Sequence, residues 1–495
     1  MATRAAYNEF RRVYSDPSGA RRAGDYDERA AHYALLWAYH ENSAFDDLSA
    51  WAAYRARHRL YRFQRNIYNP VRRLVDFYVS VIYQGAWPIT TSDMMGKTSA
   101  VPFADDSDPE MLEAISQFWE WSNWPAKSAM MLRYGAALGD VLVLLVDDVQ
   151  RGKVYADVLY PGHVSAVTLN TAGDVISYVL EYEIDDGDDL RRHTYRRDVD
   201  KEMIRTFRDD RPWDYDGQGA ERENPYGFVP ACWINHTPVG SIHGAPAVRT
   251  LAKIDELNGL ASHSLDQAHR ILEAPILVSG ENIQAGGLSR AKAAQSGSST
   301  TANADAAQQE AIKLITAGVG ASMDTVRMEP GEALEHIDRM LREVEADHPE
   351  LVMYTKLREM STVSGPAADR LFGDVAGLVN AARTQYDRQV VKLCQMAVAI
   401  GGWRANEGGW GRLNGQQQRF VGFGLDSYDA GDLGLSIQAR GLMPMTEHEQ
   451  LELDRLRQSV QMETSNRTLH TENAPASIAA RLRAMADATP VQAAT

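Results

Sequence analysis

The 495-residue sequence is poor in cysteine and has no long apolar run. Its two cysteines, Cys232 and Cys394, lie far apart, which argues against a disulfide framework and suits a reducing compartment. No segment approaches the roughly eighteen consecutive apolar residues of a membrane-spanning helix, and the stretch after Met1 lacks the apolar centre of a signal peptide. We therefore expect a soluble protein, made in the cytoplasm and without a membrane partner.

An excess of positive charge is also missing. The chain carries 51 Lys and Arg against 67 Asp and Glu, a formal net charge of −16. Proteins that bind nucleic acid tightly gain affinity by neutralising phosphates. The acidic balance therefore argues against tight DNA binding, but it is compatible with a loose relation to DNA in which repulsion is useful.

Recognisable catalytic motifs are scarce. The sequence has no GxSxG, HExxH or CxxC motif. MGKTSA (95–100) resembles the end of a phosphate-binding loop, but Thr91 stands where that loop needs its first glycine. His263 and His269 are too far apart along a predicted helix for a metal pair, and the aspartates at 185–189 lack the spacing of a calcium loop. We therefore predict no catalytic residue, no metal ligand and no cofactor.

The first half of the chain predicts one α+β domain over residues 26–240. Apolar residues at three-four spacing after Asn69-Pro70 indicate a helix, and 109–138 indicates another. From Gly139 onward the pattern is that of an antiparallel meander, with turn residues between the strands. The predicted strands are VLVLLVDD, VYADVLYPGHVSAVTLN, VISYVLEYEID, LRRHTYRRDVD and PACWINH.

A long helix is predicted over 246–273, about 40 Å long at 1.5 Å per residue. Its apolar residues form a narrow stripe, which favours packing against neighbouring helices, including copies of the same chain. A strand (APILVSG), a Gly/Ser/Ala tract and a second strand (AIKLITAG) follow within 274–331, and a returning helix spans 332–360 with a kink expected at Pro349. The stripe consists of Val248, Leu251, Ile254, Leu257 and Leu265.

The last third predicts a loop of small residues at 361–378, then a long helix from Asn380 to Gly402. QQQRFVGFGLD (416–426) is predicted to be a strand, and two helical segments follow it.

The order of these parts resembles the portal proteins of tailed bacteriophages, particularly the group related to the portal of a Bacillus phage. The resemblance is strongest over 224–280: a strand that begins with Val229-Pro230 and ends at Asn235, the segment from Gly240 to Pro246, Asn258 in the helix, and the APILVSG exit. A weaker resemblance runs through 331–400. The order of the parts covers about four-fifths of the chain, and the specificity comes from that order.

The resemblance implies a portal fold: a mixed α/β wing, a two-helix stem, a small α/β clip, a tunnel loop and an α-helical crown. The implied boundaries are 1–240 for the N-terminal wing, 246–273 and 332–360 for the stem helices, 274–331 for the clip, 361–378 for the tunnel loop, 379–434 for the C-terminal wing with its long helix, and 435–495 for the crown.

It also implies a non-catalytic head-tail connector in the virion, at one capsid vertex. Such subunits form a ring, usually of twelve, around a channel through which double-stranded DNA passes without sequence specificity during packaging and ejection. The implied partners are the terminase large subunit, the major capsid and scaffolding proteins, and later the head-completion, adaptor and tail proteins.

Two sets of channel residues follow from the resemblance. The acidic set would repel the DNA backbone and keep the path slippery, although the same residues could equally form the solvated face of a helix. The tunnel-loop set is Val363, Ser364, Gly365, Pro366, Arg370, Gly373 and Gly377, and the acidic set is Glu343, Glu345, Asp347 and Glu350.

Two other classes remain open from the sequence. One is a multidomain cytosolic enzyme whose active site is formed by dispersed residues. The other is a different virion scaffold or adaptor protein, in which an arm of two helices has no obvious purpose. A large ring formed without nucleotide would favour the portal, because an enzyme need not exceed a dimer or tetramer.

Overall fold

The computed structural model describes the chain in segments, and the statements below concern these alone: residues 26–45, 68–83, 108–185, 192–214, 217, 219–240, 242–272, 276–279, 314–317, 330–353 and 372–429, with single positions at 103, 434, 435, 437 and 455. The described residues are mixed helix and sheet, which agrees with the α+β prediction.

Four helices precede the sheets: α1 (Tyr26–His40), α2 (Val71–Val81), α3 (Pro109–Ser122) and α4 (Trp124–Leu138). The predicted apolar face of α2 is buried. The single helix predicted over 109–138 is wrong, because Asn123 adopts a left-handed conformation (φ 49°) and separates α3 from α4. Pro125 in the first turn of α4 is the signal that could have located this boundary.

Nine strands follow: β1 (Asp140–Asp148), β2 (Lys153–Leu159), β3 (Val164–Leu169), β4 (Val175–Asp185), β5 (Arg192–Asp200), β6 (Met203–Arg208), β7 (Arg211–Pro212), β8 (Glu221–Glu223) and β9 (Ala231–Asn235). All their pairings are antiparallel, as predicted. They form two sheets instead of one meander: β2-β1-β9, and β3-β4-β5-β6-β7 with β8 beside β6. The short helix Pro161–His163 divides the predicted strand 154–170 and passes the chain between the sheets.

The small sheet is buried on both faces, which explains why β1 reads as a continuous apolar run. Val141 and Val143 face the main core, which the helices complete. Leu142 and Leu144 face a second core between the two sheets, together with Trp233 of β9. The residues of the larger sheet in that core are Val164, Val167, Val175, Tyr178, Leu180, Val199 and Ile204.

Beyond the sheets the chain forms an arm of two helices and two short strands. Its parts are α5 (Leu251–Leu272), β10 (Ile276–Ser279), β11 (Leu314–Ala317) and α6 (Pro330–Asp347). The two strands pair in parallel, with Ile276 opposite Leu314. The kink predicted at Pro349 is an interruption of the helix: α6 ends at Asp347, His348 is not helical, and a short helical turn occupies 349–353.

The chain then returns to the body, which we define as the described residues up to 240 and from 372 onward. A 34-residue helix, α7 (Gly373–Asn406), begins seven residues before the predicted start at Asn380. The strand predicted over 416–426 is wrong, because Gln417–Phe420 is a 3-10 helix and Leu425–Asp429 is a short α-helix, α8. None of the helices in these described segments is long and apolar enough to cross a membrane.

Candidate functional site

The arm leaves the body through a segment that is held tightly against the end of α4. Gly139 has φ +96°, and a Cβ on it would lie 2.6 Å from the carbonyl oxygen of Gly244. Gly244 is equally constrained, since its Cβ would lie 2.7 Å from the carbonyl oxygen of Gly139. The backbones therefore touch at a point where only glycine fits. Thus the segment Gly244-Ala245-Pro246, which precedes the first arm helix, serves a packing role at the junction.

A buried carboxylate, Asp140, organises this junction. It is 0% exposed, and its Oδ1 accepts hydrogen bonds from the Asn235 side chain at 2.6 Å and from the backbone N–H of Gly244 at 2.7 Å. Its Oδ2 accepts from the Tyr33 hydroxyl and lies 3.1 Å from His243 Nδ1. One carboxylate thus connects α1, β1, the end of β9 and the segment that leads to the arm.

The position of Arg29 indicates which ring nitrogen of His243 accepts a hydrogen bond. Its guanidinium lies 3.3 Å from His243 Nε2 and also donates to the carbonyl oxygens of Val164 and Ser165. A guanidinium only donates, so Nε2 accepts and Nδ1 carries the proton that points to Asp140. Burial, followed by the Asp140 charge, raises the pKa of the Tyr33 hydroxyl, which stays a donor. The sequence pattern indicated none of these residues as functional, because Gly139 marks only the start of the strand pattern.

The two helices of the arm meet at their base. Lys253 near the start of α5 forms an ion pair of 2.6 Å with Asp347, the last residue of α6. One turn nearer the body, Thr250 Oγ1 lies 2.9 Å from His348 Nε2. The chain therefore leaves the body along α5 and returns to the same place along α6, as the sequence predicted.

The predicted apolar stripe is largely covered by the chain itself. Val248, Leu251 and Ile254 belong to the main core, and Leu257 is 2% exposed. The described residues of the chain therefore already cover these four, and Val344 of α6 lies in the same core as the first three. The side chain of Leu265 lies outside the described residues.

The four predicted acidic residues have different environments. Glu343 and Glu345 are exposed on α6, and Glu343 forms an i, i+4 pair with Arg339 at 3.3 Å. Asp347 is half-buried and is paired with Lys253 of α5. Glu350 does not fit the expectation of a solvated carboxylate: it is 1% exposed, and its Oε1 accepts from the Tyr78 hydroxyl at 2.6 Å. The statement that Glu343 and Glu345 face DNA stays a prediction.

The predicted tunnel loop is shorter than expected at its C-terminal end. Gly373 and Gly377 lie in the first turns of α7, so their assignment to a loop is wrong. Val375 and Val379 on the same turns are buried in the main core. Their packing outweighs the low helix propensity of the two glycines. The remaining predicted positions lie outside the described residues: Val363, Ser364, Gly365, Pro366 and Arg370.

The start of α7 and the end of the arm line a shallow depression. Its floor is apolar, from Val352, Phe372 and Val375, and its rim carries Glu345 and Asp374. Neither carboxylate has an ion-pair partner among the described residues. Two exposed carboxylates therefore border this depression.

No set of three or more His, Cys, Asp or Glu side chains in the described segments is arranged to hold a metal ion. Comparison with models of known families and with characterised proteins found no match to the chain.

Proposed function

We propose that this protein is the portal subunit of a tailed bacteriophage, a non-catalytic component of the virion that forms a ring around the DNA channel. The ring would contain about twelve copies. It would bind the terminase large subunit while the genome enters, and head-completion, adaptor and tail proteins afterwards.

The observation that carries the proposal is the arm. Two helices lead away from an α+β body and back to it, and Lys253 and Asp347 join them. The chain between them contains a pair of short parallel strands. A two-stranded sheet with strands this short is not stable by itself. Further strands from neighbouring copies would complete it, and this is the arrangement expected of a clip within a ring.

The charge of the second arm helix also supports the proposal. Glu343 and Glu345 are exposed there, and the chain has a net charge of −16. A channel that conducts DNA in both directions should not release counterions from the phosphates, because that release creates affinity. An acidic lining meets this requirement.

The mass of the purified protein in solution, with negative-stain images of the same sample, tests the proposal. We expect rings with a central hole and a mass of about 660 kDa for twelve chains of 55.0 kDa each. The measurement is made over a wide range of protein concentrations, because ring closure depends on mass action. A dimer or tetramer that persists at the highest concentration would contradict the proposal and favour a cytosolic enzyme.

A further inference from the structure

The joint between the arm and the body contains a buried carboxylate that is only half satisfied. Glu350 Oε1 accepts from the Tyr78 hydroxyl at 2.6 Å, whereas Oε2 is buried with no hydrogen-bond partner among the described residues. Burial and the Glu350 charge raise the pKa of Tyr78, so the hydroxyl stays a donor. A buried carboxylate oxygen without a donor is unfavourable, and a nearby cation would relieve it.

One cation, Arg249, acts electrostatically on Tyr78, the hydrogen-bond partner of Glu350. Arg249 is exposed and makes no hydrogen bond or ion pair with any described residue. Its neighbour in the chain, Thr250, contacts His348, which is only two residues before Glu350. The Arg249 charge also reaches the buried groups here: after burial it is a further cause that lowers the pKa of His236 and of His348.

The carboxylate lies at the break in the returning helix. Pro349 follows the non-helical His348, and Leu351 and Met353 of the next helical turn belong to the main core. The turn at 349–353 is thus held in the main core, and Val344 of α6 belongs to the same core on the other side of the break. A bond from Arg249 to Glu350 would join the start of the outgoing helix to this turn, across the break.

We propose that Arg249 and Glu350 form a switchable ion pair that stiffens the joint between arm and body. In the state described here, Tyr78 holds Oε1 and the guanidinium points to solvent. In the other state the guanidinium turns inward and donates to Oε2, which ties α5 to the turn at 349–353. The two states differ in how firmly the arm is held, and this inference does not depend on ring formation.

Hydrogen exchange at the backbone amides of His348 and Leu351 tests the inference, because these amides bond to carbonyl oxygens of Val344 and His348 across the break. We expect R249M and E350Q each to accelerate their exchange several-fold, and the double variant to exchange no faster than either single variant. Y78F should leave exchange unchanged or slow it, because the freed carboxylate can pair fully with Arg249.

R73M is the matched control, since Arg73 is an exposed arginine of α2 with no partner among the described residues. It should leave exchange at the joint unchanged. If R249M behaves like R73M while E350Q accelerates exchange, Glu350 acts through Tyr78 alone and the inference is wrong. Additive effects of R249M and E350Q would overturn it equally.

Discussion

Asn258 of α5 forms hydrogen bonds with both backbone groups of Tyr68. Its Oδ1 accepts from the Tyr68 N–H at 2.6 Å, and its Nδ2 donates to the Tyr68 carbonyl oxygen at 3.0 Å. The side chain is 1% exposed. One amide thus pairs with both backbone groups of a residue three positions before α2. It also connects the first arm helix to the body.

We expect Asn258→Ala to lower the free energy of unfolding by about 1–3 kcal/mol, because two backbone groups would lose their partner. Urea denaturation of the variant and the wild-type protein measures the difference. Asn380→Ala is the control, because Asn380 is exposed on α7, and it should cost less than about 1 kcal/mol. Equal losses in the two variants would show that the bonds to Tyr68 add no stability.

Arg383 of α7 caps the C-terminal end of α2. Its Nε donates to the carbonyl oxygen of Ile82 at 3.0 Å and its Nη2 to that of Val81 at 2.7 Å. Arg383→Met should destabilise the protein by about 2–3 kcal/mol, since it removes charged hydrogen bonds from buried carbonyls at a helix C-terminus. Arg388→Met, an exposed position on the same helix, should cost less than about 1 kcal/mol. Thermal unfolding of both variants decides whether burial makes the difference.

The contact between Gly139 and Gly244 predicts a steric penalty beyond backbone strain. Gly139→Ala would place a methyl group against the Gly244 carbonyl oxygen. Gly173→Ala is the matched control, because Gly173 has φ +82° with nothing within 4 Å of the added atom. We expect about 1–2 kcal/mol of destabilisation at Gly173 from conformation alone, and an additional 1–3 kcal/mol or so at Gly139. Equal losses in urea denaturation would mean that the junction can relax.

Local patterns predicted much of the fold. β4 spans 175–185, as its alternation and turn residues indicated. The prediction failed where burial decides the structure. QQQRFVGFGLD has the composition of a strand, but Phe420 is 0% exposed in a 3-10 turn that packs against α7, and Gly401 of α7 leaves space for its ring. A short apolar segment does not reveal in one sequence whether a strand or a helix lies beside it.

The candidate site was predictable as an order of elements but not as contacts. The arm, its strands and the break at Pro349 follow from periodicity and proline. The roles of Asp140, Arg29 and Glu350 do not, since each depends on residues more than a hundred positions away in the chain. A carboxylate that looks solvated by its neighbours in sequence can be buried by tertiary packing, as Glu350 is.

Acid should destabilise the protein through His236. This residue is 1% exposed, and burial lowers its pKa to about 3, followed by a smaller contribution from Arg249. In the unfolded chain His236 takes up a proton near pH 6.5. The contribution of the neutral side chain to the free energy of unfolding is therefore complete above that pH, and it is lost as the pH falls toward 3. We expect a slope of at most about 1.4 kcal/mol per pH unit from this residue between pH 6 and 4.

His236→Gln removes the titrating group and keeps a side chain that can bond to the Tyr386 hydroxyl, now 3.2 Å from Nδ1. Its free energy of unfolding should depend less steeply on pH over that range. His336→Gln, at an exposed position on α6, should keep the wild-type slope. If the two variants show the same pH dependence, other groups cause the acid sensitivity.

Exposed carboxylates on α6 should keep DNA from binding in the channel, if the protein forms the proposed ring. We expect Glu343→Lys with Glu345→Lys to raise the affinity of the ring for duplex DNA and to steepen its salt dependence, by about 0.9 in the logarithmic slope for each phosphate neutralised. Fluorescence anisotropy with a labelled duplex at several salt concentrations measures both quantities. Glu202→Lys with Glu407→Lys is the control, because it changes the net charge equally at exposed positions of the body. Equal affinities and slopes in the two double variants would show that α6 does not face the DNA.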